Sequence, residues 1–127
     1  MNIEHIAIWT NNLEQLKSFY ETYFHAKACE KYINSKTNFE SYFLTFPSGG
    51  TRLELMKKQE CLGKIDTARV GLAHVAFSVG SKDAVDGLTA RLERDGFRVI
   101  SQPRTTGDGY YESCVLDHDG NIIEIMV

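Results

Sequence analysis

Residues 71–79, GLAHVAFSV, make an apolar run broken by one imidazole, His74. The run's length and its β-branched and aromatic content predict a buried strand. It has a twin near the N-terminus, where His5-Ile-Ala-Ile matches His74-Val-Ala-Phe. Each histidine is followed by a short strand pattern with a single carboxylate, Leu53-Glu54-Leu55-Met56 and Ile123-Glu124-Ile125-Met126. The spacing is 49 positions from His5 to Glu54 and 50 from His74 to Glu124. One unit is written twice, and each copy carries one His and one Glu.

The segments between these strands repeat as well. After a strand over Asn2–Thr10, Asn11 or Asn12 is placed to cap a helix, with Gln15 three residues after Asn12 to complete a capping box. Leu13, Leu16, Phe19, Tyr20, Tyr23 and Phe24 recur at helical spacing along it. Strands are expected over Ala28–Ile33 and Phe39–Phe46, a turn at Pro47–Gly50, and a strand over Thr51–Met56. The second copy runs in the same order. Gly71–Val79 is the strand, Ser81 caps a helix carrying Ala84, Val85, Leu88 and Leu92, and Gly96 suits its end. Strands follow at Phe97–Gln102 and Tyr110–Asp117, separated by a loop over Pro103–Gly109. His118–Asn121 turns into a last strand, Asn121–Val127. The expectation is an α+β fold of two βαβββ modules, 1–57 and 71–127, joined by a polar linker, 58–70.

The chain has 127 residues, 43% hydrophobic and 24% charged, with a net charge of −3. That suits one globular domain, since a half of roughly 60 residues buries too little surface to be more than marginal alone. There is no basic stripe for nucleic acid and no apolar run long enough for a membrane span, so a cytoplasmic protein is expected. Cys29, Cys61 and Cys114 are odd in number and widely spaced, which reads as three free thiols.

Side chains alternate across a strand, so parity shows which residues share a face. Ile6 and Ile8 oppose His5, Ala7 and Trp9; Val75 and Phe77 oppose His74, Ala76 and Ser78. Leu53 and Leu55 oppose Arg52, Glu54 and Met56; Ile123 and Ile125 oppose Ile122, Glu124 and Met126. In each case one face suits a covering helix and the other carries one potential metal ligand. Two carboxylates on a mostly apolar surface are costly without a cation, because like charges and desolvation both oppose ionisation. Two imidazoles with two carboxylates suit a divalent Ni, Zn, Mn, Co or Fe ion. His5, Glu54, His74 and Glu124 are therefore the candidate ligands.

These residues, from HIAI through GLAHVAFSV to DHDGNIIEIMV, resemble the vicinal-oxygen-chelate superfamily, which includes glyoxalase I, extradiol dioxygenases, methylmalonyl-CoA epimerase, and the fosfomycin and bleomycin resistance proteins. The closing segment is similar to the family's DPDGN ending, with His118 in place of the proline. The resemblance implies paired βαβββ units whose mostly antiparallel sheets curl around a metal. A complete His5, Glu54, His74 and Glu124 set looks most like glyoxalase I. It implies isomerisation of a small oxygenated substrate, such as the hemithioacetal of methylglyoxal, with Glu124 or Glu54 moving the proton. Other superfamily chemistries (dioxygenase, epimerase or thiol transferase) and a non-catalytic drug- or metabolite-binding role are the alternatives. The chain departs from the glutathione-using bacterial enzymes at Trp9, where they commonly have Arg, and at Lys58, where they have Asn. Arg52, Lys57 or Lys58 is available to take over that role.

Trp9, Phe43, Arg52, Met56, Tyr110 and Tyr111 are the candidate substrate contacts. Glu112 and Asp117 read as surface and turn residues, His25 as a helix-end residue, and His118 as a turn residue. A homodimer is expected, since a sheet of this size leaves edges that need covering.

Overall fold

Alternation and capping signals translate directly into elements in the computed structural model, which describes residues 1–59 and 71–127. The chain divides into two compact units, Met1–Gly63 and Lys64–Val127. Most of the segment read as a linker, and Cys61 with it, lies outside the described residues.

The first unit contains β1 (His5–Trp9), α1 (Leu13–Phe24), β2 (Lys27–Ala28), β3 (Tyr32–Asn34), β4 (Phe39–Thr45) and β5 (Arg52–Lys57). Asn12 caps α1, its side-chain oxygen accepting from the backbone N–H of Gln15 at 3.2 Å. The helix stops where His25 takes a left-handed backbone, φ 55°, and Ala26 N–H returns to the carbonyl of Tyr20. Leu13, Leu16, Phe19, Tyr20 and Phe24 are buried, and the helix packs on β4 and β5, whose Tyr42, Leu44, Leu53 and Leu55 are buried with them.

Strand order in the sheet is β1-β5-β4-β2, with β3 also on β4; β1 and β5 are parallel and the other pairs antiparallel. The single strand expected over Ala28–Ile33 is broken in two. Between Ala28↔Leu44 and Tyr32↔Ser41 the outer strand advances four residues against three, so a bulge interrupts it. At the break, Phe43 N–H points to the Cys29 sulfur at 3.2 Å.

In the second unit are β6 (His74–Ser78), α2 (Lys82–Arg94), β7 (Val99–Thr105), β8 (Tyr111–Leu116) and β9 (Ile122–Met126), with sheet order β6-β9-β8-β7. β6 and β9 are parallel, as β1 and β5 are. Ser81 Oγ accepts from Ala84 N–H to start α2. Gly96, at φ +92°, ends it: its N–H bonds the Glu93 carbonyl and Phe97 N–H bonds that of Leu92. Only a residue without a Cβ adopts that backbone at no cost.

Three expectations for this unit change. First, β6 is an edge strand covered on one face, with Val75 and Phe77 half-buried and His74, Ala76 and Ser78 exposed. It is not buried on both sides, because β9 alone pairs with it. Second, β7 continues through Pro103, which was expected to open a loop. β7 lies at the sheet edge and its register with β8 shifts twice, between Val99 and Ser101 and between Ser101 and Arg104. An edge position and a bulge are where a sheet tolerates proline. Third, Thr89 is buried in the helix stripe alongside Val85 and Leu92, while Ala84 and Leu88 are half-buried.

Thr89 earns its buried place through hydrogen bonds. Its hydroxyl donates to the Val85 carbonyl at 2.7 Å, so the 2.6 Å contact with Ser113 Oγ on β8 has Ser113 as donor. Thr89→Val strands the Ser113 hydroxyl and is expected to cost about 1–3 kcal/mol. The double change Thr89→Val, Ser113→Ala should cost less than Thr89→Val alone. Urea unfolding of the two variants beside the unsubstituted protein checks this.

The DHDGN turn is held from inside. Asp117 is buried, and its carboxylate accepts from Asp119 N–H, Asn121 N–H and the Asn121 amide at 2.8–3.0 Å. Burial pushes its carboxyl above the ordinary value, against the pull of these hydrogen bonds.

Candidate metal centre

On the face of each sheet away from its helix, a parallel strand pair brings a histidine against a glutamate. In the first unit Ala7 is level with Glu54 and His5 lies two residues before it. Ala76 is level with Glu124 in the second, again with the histidine, His74, two residues before. The pairs have nearly the same geometry, with Nε2–Oε2 distances of 3.8 Å for His5–Glu54 and 3.5 Å for His74–Glu124. The glutamate side chains are 15% and 14% exposed and the histidines 39% and 45%, so each pair sits sunk at its carboxylate and open at its ring.

The first pair has an orienting group that the sequence reading passed over. Glu4 Oε2 is 2.5 Å from His5 Nδ1, and the other Glu4 oxygen meets the Arg52 guanidinium. A carboxylate only accepts, so Nδ1 donates to Glu4 and Nε2 is the ring nitrogen turned toward Glu54. His5, together with Arg52, holds the Glu4 carboxyl below its ordinary value. Such a carboxylate–histidine link fixes a metal-binding imidazole in its ligating tautomer. Glu4→Gln is expected to weaken metal affinity by about 10- to 100-fold. Isothermal titration with Ni²⁺ measures it.

The two faces differ around this shared core. In the first unit the residue opposite Glu54 is Phe43, whose ring lies edge-on to His5 with centroids 5.3 Å apart and carries the Arg52 guanidinium at 4.2 Å. Opposite Glu124 in the second is Cys114. Donor atoms of Glu112, Cys114 and Glu124 all lie within 4.8 Å of one another. Burial, then the charges of Glu124 and Glu112, push the Cys114 thiol up. Arg104 stands 3.9 Å from Glu112 and donates to Ser101 Oγ, both delivered to this face by the bulges of β7. Glu112, read from the sequence as a surface residue, is instead half-buried on the ligand face.

The other candidate contacts divide between the faces. Trp9 is 42% exposed on the His5 face, with Phe39 edge-on at 6.2 Å and the Lys58 ammonium over its ring at 5.3 Å. Met56 shares that face and is half-buried. Tyr110 is exposed just before β8. Tyr111 is a correction: its hydroxyl donates to Asp86 of α2 at 2.7 Å, so it stands on the helix side, away from His74 and Glu124. Neighbouring residues of a strand face opposite ways, and the two tyrosines could not both have lined one pocket.

The donor set fits a divalent ion. Two donors about 2.1 Å from one metal and at right angles to each other stand about 3 Å apart, and small side-chain rotations bring either pair there. Imidazole nitrogen with carboxylate oxygen is a borderline-to-hard set, suited to Ni²⁺, Zn²⁺, Mn²⁺, Co²⁺ or Fe²⁺. Two ligands alone make a weak site, and each His–Glu pair supplies two.

Each of the two βαβββ units thus carries one His–Glu pair on the sheet face away from its helix. The model of the Glyoxalase/Bleomycin resistance protein/Dioxygenase superfamily matches residues 2–125, and the chain belongs to that superfamily. Its fold is similar to that of a glyoxylase/bleomycin resistance protein/dioxygenase domain from Frankia sp. EAN1pec, with a TM-score of 0.84 at 20% identity, covering 100% of this chain and 97% of that one. The trypanothione-dependent glyoxalase I of Leishmania major is similar at a TM-score of 0.79 and 20% identity, over 99% of this chain and 86% of that one. By sequence, the uncharacterized protein YqjT of Bacillus subtilis is 39% identical over 61 residues. That stretch is 46% of this chain and 48% of the relative, so the match spans about half of its length.

Proposed function

We propose that the protein is a metal-dependent lyase or isomerase of the glyoxalase I type, using His5, Glu54, His74 and Glu124 as one ligand set. The observation that carries this reading is the duplicated pair, 3.8 Å and 3.5 Å, each with its glutamate sunk and its imidazole open. The four ligands come from one chain or from two chains of a homodimer, and the chemistry is the same in both cases.

When bound, the ion polarises neighbouring substrate oxygens and stabilises negative charge that develops on them. Glu124 or Glu54 takes a proton from one substrate carbon and returns it to the adjacent one. Their position on sheet strands, backed by buried Leu53, Leu55, Ile123 and Ile125, keeps the carboxylates in place. Glu4 holds the His5 ring. Trp9, Phe43 and Met56 give the first unit's face an apolar floor, and Arg52 offers a cation to an anionic substrate group.

Turnover of methylglyoxal with glutathione, or with other low-molecular-weight thiols, by metal-reconstituted protein tests the assignment. Activity with at least one thiol is expected. Silence with every thiol tried, in protein shown to hold its metal, overturns the lyase reading.

A further inference from the structure

The two ligand faces are not equivalent, and the difference has a chemical meaning. Where the first unit sets an aromatic ring opposite its glutamate, the second sets a thiol with another carboxylate beside it. We propose that the second unit alone binds a thiophilic divalent cation, with Cys114, Glu124 and Glu112 as the core ligands and His74 as the fourth.

Sulfur, nitrogen and oxygen donors are gathered there by the sheet itself. Cys114 and Glu124 are directly opposite in the antiparallel β8–β9 ladder, and Glu112 is two residues along on the same face. The three donor atoms are mutually within 4.8 Å, and His74 Nε2 approaches Glu124 from the other side at 3.5 Å. A tetrahedral ion with bonds of about 2.0–2.3 Å holds its ligands roughly 3.5 Å apart, and the Glu112, Cys114 and Glu124 donors already lie within 4.8 Å of one another. Arg104, 3.9 Å from Glu112, is the competing cation; that long contact across a half-exposed guanidinium is weak. A thiolate selects for soft ions such as Cd²⁺ and Zn²⁺ over Mg²⁺ or Mn²⁺. On binding, the Cys114 thiol gives its proton to solvent and the sulfur lone pair to the metal. Because this set uses Glu124 and His74, such an ion competes with one held by the four-residue set proposed above. The inference does not depend on that reading, since all four donors lie in one unit.

The test uses the full chain with Cys29→Ser and Cys61→Ser, leaving Cys114 as its one thiol, titrated with Cd²⁺. A thiolate-to-cadmium ultraviolet absorption saturating at one ion per chain is expected. It should persist when His5→Ala and Glu54→Gln are added, which dismantles the four-residue set but not this one. Cys114→Ser should abolish the absorption and raise the Cd²⁺ Kd at least about tenfold, the lower end of what removing even an outer partner of a ligand costs. Glu112→Gln, conservative in shape, should raise it as well. No absorption with Cys114 present, its loss on removing His5 and Glu54, or a Kd unmoved by Cys114→Ser each overturns the proposal. Turnover with thiols plays no part in these readouts, so the two readings fail separately.

Discussion

Glu124→Gln lowers kcat of the metal-loaded protein by about 10²- to 10⁴-fold, the usual range for losing a positioned proton-transfer group. Glutamine keeps the shape and one oxygen donor but cannot take up a proton at neutral pH. The variant is therefore assayed at saturating metal, where a loss of affinity no longer limits turnover. Glu54→Gln in the same assay shows which carboxylate handles the proton, since that one keeps a low kcat however much metal is supplied. Full recovery of both variants at high metal would reduce the glutamates to ligands and leave the proton transfer to another group.

The second large effect is on stability. Leu55 is fully buried between Glu54 and Met56 and points into α1, whose Leu16 and Tyr20 are equally buried. Leu55→Ala removes side-chain volume from a packed interior and is expected to cost about 2–5 kcal/mol. Glu54 precedes it on β5, so a strand that loosens there also loosens a ligand. The variant should lose metal affinity in step with stability, whereas Met56→Ala, on the half-buried ligand face, should cost less stability. Urea denaturation with and without Ni²⁺ separates these outcomes.

Much of this was legible because two periodicities agreed at four places. Parity alone put His5, Glu54, His74 and Glu124 on faces opposite the helix-covered aliphatic residues, and the burial of Leu53, Leu55, Ile123 and Ile125 follows that pattern. Capping chemistry located the helix starts, at Asn12 and Ser81. Parity fails where a strand is irregular. The bulges around Cys29 and along β7 add residues that the partner strand does not match, and they bring Ser101 and Arg104, three apart, to one face. Single-residue polarity misled at Thr89, whose hydroxyl is satisfied inside the core by Val85 and Ser113.

Cys114 was readable in principle. The hairpin turn is centred on Asp119, which sets position 114 opposite position 124, but the odd count and wide spacing of the cysteines made Cys114 read only as a free thiol. Glu4 was missed for a different reason. It lies before β1, and its role depends on a side chain folding back to His5 Nδ1.

The central claim is that both His–Glu pairs serve one ion, and Ni²⁺ stoichiometry tests it most directly. Titration of the intact protein should give one tightly bound ion per chain, whether the site closes within a chain or between two. His5→Ala and His74→Ala should weaken that binding to a similar degree, each by at least about tenfold. Two independent ions per chain, or a single ion that responds to only one of the two substitutions, would contradict the shared centre.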